Sequence, residues 1–71
     1  MKDFVKRMIK ERDELNERID KAEAFYYDAV NSPSIVLSGF EIECLEEQID
    51  HMKEYFRVLN TRIGYYAEIE E

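Results

Sequence analysis

Only one cysteine, Cys44, occurs in the sequence, so no internal disulfide can form. The single histidine, His51, lies seven residues away, and two such ligands are too few for a structural zinc site. No metal and no cofactor is expected. No apolar run approaches the roughly 18 residues that read as a membrane span, and nothing resembles a signal peptide. A lone thiol suits a reducing cytoplasm. A glycine-rich loop, a metal motif and a triad pattern are all lacking. Cys44 sits in an acidic stretch that disfavours its thiolate, and His51 reads as a partly exposed surface side chain. The chain is therefore expected not to be an enzyme. Basic residues are also in the minority, giving a net charge of −7, which argues against bulk nucleic-acid binding.

What is present is helical. Leu45, Ile49, Met52, Phe56, Leu59, Ile63 and Tyr66 follow an unbroken four-three rhythm, a heptad seam. Gln48, Tyr55 and Arg62 lie beside it, one per heptad. Earlier, Val5, Met8, Arg12, Leu15, Ile19, Ala22, Tyr26 and Ala29 keep the same rhythm, with Arg12 as its one polar member. A polar seam residue can fix register, or it can point into a ligand pocket between subunits. The first helix is expected over residues 3 to 30, about 42 Å long, with Asp3 as the candidate N-cap. Asn31 to Ser34 breaks it, because Pro33 removes a donor and steers Ser32 out of the α region. Ile35 to Leu37 are expected to cap the end of a hairpin. Ser38 and Glu41 form a capping box that starts a second helix near Gly39, continuing to about Glu68. Gly64 is expected to fray or bend its last turn.

The fold class expected is all-α, a single domain made of an antiparallel two-helix hairpin. A chain of this size buries only roughly 60% of its unfolded surface, and Phe4, Ile9, Phe25, Tyr27, Val58 and Tyr65 fall off the seams. Small scaffolds without staples gain stability by association, and leftover apolar surface marks an interface. A homo-oligomeric helical bundle is expected.

Charge is unevenly spread. Residues 1 to 12 hold five basic side chains against two acidic ones, while residues 41 to 50 hold five acidic and no basic ones. With the turn near residue 34, positions summing to about 69 should lie level, bringing Arg7 to the level of Arg62, Arg12 to Arg57 and Glu14 to Tyr55. Lys6, Arg7, Lys10, Arg57 and Arg62 then gather away from the turn, together with Tyr55, Tyr65 and Tyr66. Arginine forks suit phosphate, and aromatic faces stack on bases. Against this stands a plain alternative, in which Glu11, Glu14, Glu54 and Glu68 pair with these cations on a solvated surface.

Phe4-Val-Lys-Arg7-Met8 with Glu11, Glu14-Leu15 and Ile19, then Gln48, Met52, Glu54-Tyr55, Leu59 and Arg62-Ile63, resembles a family of small two-helix phage proteins. These are described as crAss-like-phage-related and are similar to nucleotide sponges. Asn31 to Leu37 and Gly64 to Glu71 depart from the pattern. The resemblance implies a phage protein acting in the host bacterial cytoplasm. It would bind an immune signal such as a cyclic GMP-AMP of the CBASS pathway and withhold it uncleaved. The binding residues expected are Lys6, Arg7, Lys10, Glu11, Gln48, Tyr55 and Arg62. Arg7 and Arg62 would hold phosphates, Lys6 and Lys10 would add potential, Tyr55 would stack, and Gln48 or Glu11 would read a base edge. The partners expected are a cyclic dinucleotide and further copies of the chain, with neither DNA nor membrane. Two other functions compete: an adaptor that docks its apolar flanks on a host protein, and a DNA mimic built on Glu41 to Asp50.

Overall fold

The computed structural model describes residues 2–32 and 37–69, which form two helices and no strand among them. Helix α1 spans Asp3–Asn31, a run free of glycine and proline. Its N-cap is Lys2, extended at φ −70° and ψ 152°, which has no side-chain oxygen to offer. The Lys2 carbonyl accepts from the amides of Val5 and Lys6 at 3.1 and 3.2 Å. Asp3 is thus the first helical residue instead of the cap, and its carboxylate sits at the positive end of the helix dipole. At the other end Ser32 adopts φ −105° and ψ 128°, the region to which a following proline restricts it. Its amide donates to the Asp28 carbonyl at 2.8 Å.

Helix α2 spans Gly39–Ile69. The Ser38 hydroxyl oxygen accepts from the Glu41 amide at 3.1 Å, so the Ser38 half of the capping box is formed. Gly64 does not end the helix, which runs on to Ile69. A Cβ added there would meet nothing within 4 Å. Of the expected cap over Ile35 to Leu37, Ile35 and Val36 lie outside the described residues. Leu37 is half-buried. Among the described residues no helix is long and apolar enough to cross a membrane.

The helices pack along the two seams into a rod of 53 × 16 × 14 Å. Every seam position on both helices is buried or half-buried. The tightest cluster is Val5, Met8, Leu59 and Ile63, with Ile9 and Tyr66 packed against it, at the distal end away from the turn. Ile9, expected among the leftovers, is thereby partly covered. Among the described residues no polar or charged side chain is fully buried. Arg12 is the polar seam member, and its guanidinium is committed: Nη1 donates to Asn60 Oδ1 across the hairpin at 3.1 Å, and Nη2 lies 3.1 Å from Asp13. It bridges α1 to α2 and is not aimed into an empty pocket.

Candidate functional site

The rod has two broad faces, one on each side of the seam. On the first face, α1 contributes a column spaced by one heptad: Phe4, Glu11, Arg18 and Phe25. Helix α2 contributes Gln48, Tyr55, Arg62 and Ile69 at the same spacing, with Cys44, His51, Val58 and Tyr65 one step further out. Contacts tie these columns together. The Phe4 and Tyr66 rings meet edge to face at 4.9 Å, and Tyr65 abuts Tyr66 at 5.2 Å. The Tyr55 hydroxyl donates to the Glu11 carboxylate. That bond holds the Tyr55 phenol above its ordinary pKa of 10.0, while the positive charges of Arg62 and Arg18 pull the other way. Both guanidiniums therefore lie within electrostatic reach of the Tyr55–Glu11 pair.

The opposite face is crossed by polar links. Tyr26 Oη donates to Glu46 at 2.5 Å, Lys53 Nζ pairs with Glu23 at 2.8 Å, and Arg12 reaches Asn60. A hollow of about 560 Å³ lies there, lined by Glu23, Tyr26, Glu46, Asp50 and Lys53 among others. Three carboxylates against one ammonium would repel a phosphate. Two hollows open on the first face. One of about 470 Å³ is lined by Cys44, Glu47, Gln48, His51, Met52 and Tyr55. The other, of about 330 Å³, lies between Phe25, Phe40, Glu41, Cys44 and Gln48 among others.

The hairpin register is close to the expected one. Phe4 with Tyr66 and Arg12 with Asn60 give sums of 70 and 72, so Arg7 and Arg62 stand near one level. Glu14, however, does not meet Tyr55; Glu11 does. The reason is helical phase: Glu11 borders the seam in line with Phe4, whereas Glu14 faces further out. It lies 4.0 Å from both Lys10 and Arg18.

The expected binding residues thus divide. Glu11, Tyr55 and Arg62 are brought together, with Arg7 one turn from Glu11 on the same side. Arg7 and Arg62 form no hydrogen bond or ion pair with the described residues, so the plain pairing alternative does not account for them. It does account for Arg57, which forks onto Glu54 one turn away and holds that carboxylate below its usual range. Lys6 and Lys10 point outward, with the Lys10 side chain 79% exposed. Gln48 lies fourteen residues before Arg62, about 21 Å along the helix, and so stands apart from the cations of its own hairpin. Arg18 belongs to the cluster and was not expected. Its signal was there to find, since it lies one heptad beyond Glu11.

A model of the Sequestin family matches residues 2–65, most of both helices. The chain belongs to the Sequestin family. The name fits a protein that sequesters a ligand, and the match covers every residue of the cluster just described. No curated protein and no solved structure matches the chain.

Proposed function

We propose that this Sequestin is a phage anti-defence protein that binds a nucleotide immune signal and withholds it without cleaving it. The ligand class is an anionic nucleotide with a flat base, and a cyclic dinucleotide resembling 3′3′-cyclic GMP-AMP is the member put forward. The observation that supports this reading is the pair of guanidiniums without a partner among the described residues, Arg62 within electrostatic reach of Tyr55 and Arg7 near the level of Arg62, in a protein of net charge −7. Unpaired arginines are less expected where carboxylates outnumber them. A planar fork is well matched to phosphate, and Tyr55, 47% exposed, offers a face for a base. Arg18 adds positive potential from α1. Among the described residues no nucleophile is hydrogen-bonded to a base, and binding without chemistry is the mode put forward.

Calorimetry against a panel of cyclic oligonucleotides and ADP-ribose derivatives tests the reading and separates the two sources of the same chemistry. Arg62→Ala should weaken binding about ten- to a hundredfold, since a hydrogen bond to a charged group contributes roughly 1.5–3 kcal/mol. Arg62→Lys should recover part of that, because an ammonium lacks the bidentate fork. Heat should release the nucleotide intact. A cleaved nucleotide would make the protein an enzyme, and failure of the whole panel would favour the adaptor reading.

A further inference from the structure

Seven of the nine large apolar side chains exposed among the described residues lie on the first face. Phe4 and Phe25 are 37% and 46% exposed, and Phe40, Val58, Tyr65 and Ile69 lie more open or about as open. The total accessible surface is 5514 Å², against about 4,700 Å² for a compact 8.6 kDa monomer. The surplus, about 800 Å², is what one partner buries in a standard interface.

The order of residues on this face says what covers it. The α1 column reads Phe4, Glu11, Arg18, Phe25. Laid against itself in the opposite direction, it sets phenylalanine on phenylalanine and glutamate on arginine at every step. Laid parallel, it would set Glu11 on Glu11 and Arg18 on Arg18. The α2 column is centred in the same way: Tyr55 lies midway between Gln48 and Arg62. The two centres also lie at one height, because Tyr55 bonds Glu11 and feels the charge of Arg18. A single two-fold axis therefore satisfies both helices at once, the self-complementarity that an isologous interface requires. The same arrangement lays the cationic distal end of one hairpin over the acidic start of α2 in the other.

We infer that two copies of this chain dock antiparallel through this face, on a two-fold axis near Tyr55, α1 on α1 and α2 on α2. Each Arg62 then stands over Gln48 of the second copy. The residues that lie about 21 Å apart within one hairpin come together twice across the interface. Each pair sits beside the apolar hollows that Gln48 lines. Insofar as these positions bind a nucleotide, which rests on the function proposed above, each site is composite: guanidinium from one copy, Gln48 and the hollow from the other.

Charge exchange tests the pairing. Glu11→Arg makes the α1 column Phe-Arg-Arg-Phe, and Arg18→Glu makes it Phe-Glu-Glu-Phe. Like charges then face each other at both steps, and each variant alone should dimerise at least about a hundredfold more weakly than the parent. An equimolar mixture should recover a mass of twice 8.6 kDa, because every arginine again meets a glutamate. A parent protein of 8.6 kDa at micromolar concentration would overturn the pairing, as would a mixture that stays monomeric. Tyr65→Cys gives a second readout that does not depend on the charge variants folding. In the antiparallel pair the new thiol lies level with Cys44 of the second copy, and mild oxidation should link 44 to 65. A dominant 44-to-44 link would overturn the antiparallel direction. Nucleotide affinity measured on the same samples keeps the two proposals apart: a dimer that binds nothing sinks only the ligand reading, and a monomer that binds sinks only the pairing.

Discussion

The two broad faces of the hairpin each carry one tyrosine–glutamate bond across the seam, Tyr55 to Glu11 and Tyr26 to Glu46, and differ in nearly everything around it. On the second face the neighbours are also cross-linked: Lys53 with Glu23 and Arg12 with Asn60. Those polar groups have partners across the seam, and of the nine large apolar side chains exposed among the described residues only Tyr27 and Val30 lie off the first face. On the first face the neighbours are phenylalanines, a valine and a tyrosine left in solvent, with Arg62, which has no partner among the described residues. Equal hydrogen bonding over the seam is thus compatible with opposite fates for the surface around it. What marks a surface for a partner is the character of the second ring of residues, apolar on one side and paired on the other.

The largest effect expected lies beneath both faces and sets the scale for them. Leu59 is 1% exposed in the distal cluster with Val5, Met8 and Ile63. Leu59→Ala should cost about 2–5 kcal/mol through lost transfer energy and a residual cavity, read by urea unfolding. A loss well below that range would mean that the seam is not where stability resides.

Next comes a substitution that separates the faces. Phe25→Ala on the first face should lower the melting temperature at micromolar protein and shift the mass towards the monomer. Burying a phenylalanine contributes roughly 1.5–3 kcal/mol. Tyr27→Ala, from a side chain 67% exposed and outside the first face, should change neither. Equal responses would erase the distinction between the faces.

The sequence made one part of this readable and concealed the other. Both seams could be traced from spacing alone, because a four-three rhythm without proline, and with only the off-seam Gly64 inside it, has one helical solution. The bend at Ser32 and the start of α2 followed from Pro33 and Ser38 for equally local reasons. The site was only partly readable. Level positions in a hairpin can be counted, and Arg7 with Arg62 followed from the count. Azimuth at a given level is finer, and it decided that Glu11 and not Glu14 meets Tyr55. For two of the cations the side chains one turn away decide: Arg57 is taken by Glu54, whereas Arg62 has no carboxylate at that spacing among the described residues. Arg7 stays unpaired among them although Asp3 and Glu11 stand one turn to either side. Gln48 was grouped with Arg62 because they share a heptad position. Sharing a column says nothing of distance along it, and the two would meet only in the antiparallel pairing inferred above.

A smaller effect should come from Gly64, off the seam and with open space where a side chain would go. Gly64→Ala should stabilise the helix by up to about 1 kcal/mol, and should do so equally in the parent and in the Glu11→Arg variant. A gain that appeared in only one of them would place this glycine at an interface the two-face comparison does not contain.

The smallest effect is a titration, and it sharpens the comparison most. Both Tyr26 and Tyr55 are held above 10.0 by donating to a carboxylate, with the glutamate charge and burial acting the same way. A raised phenol pKa stabilises the fold in its protonated form. The contribution is complete below the unfolded value of 10.0 and is lost as pH climbs through the folded value. Ultraviolet titration should therefore show both tyrosines ionising late, with helicity falling on the alkaline side. On the bare hairpin the two differ in one respect, because Arg18 and Arg62 lower Tyr55. In the antiparallel pair Tyr55 would lie near the two-fold axis, drier than in the monomer, while Tyr26 would remain in water. Dissociating the pair by Glu11→Arg removes the Tyr55 acceptor as well, so Arg18→Glu is the variant to use. It leaves the Tyr55–Glu11 bond in place and, by removing a nearby positive charge, favours a higher Tyr55 value, whereas loss of burial favours a lower one. Restoring the pair with an equal amount of Glu11→Arg, labelled so that its own tyrosines do not count, should then move Tyr55 and leave Tyr26 where it was. Movement of both, or of Tyr26 alone, would place the docking surface on the wrong face.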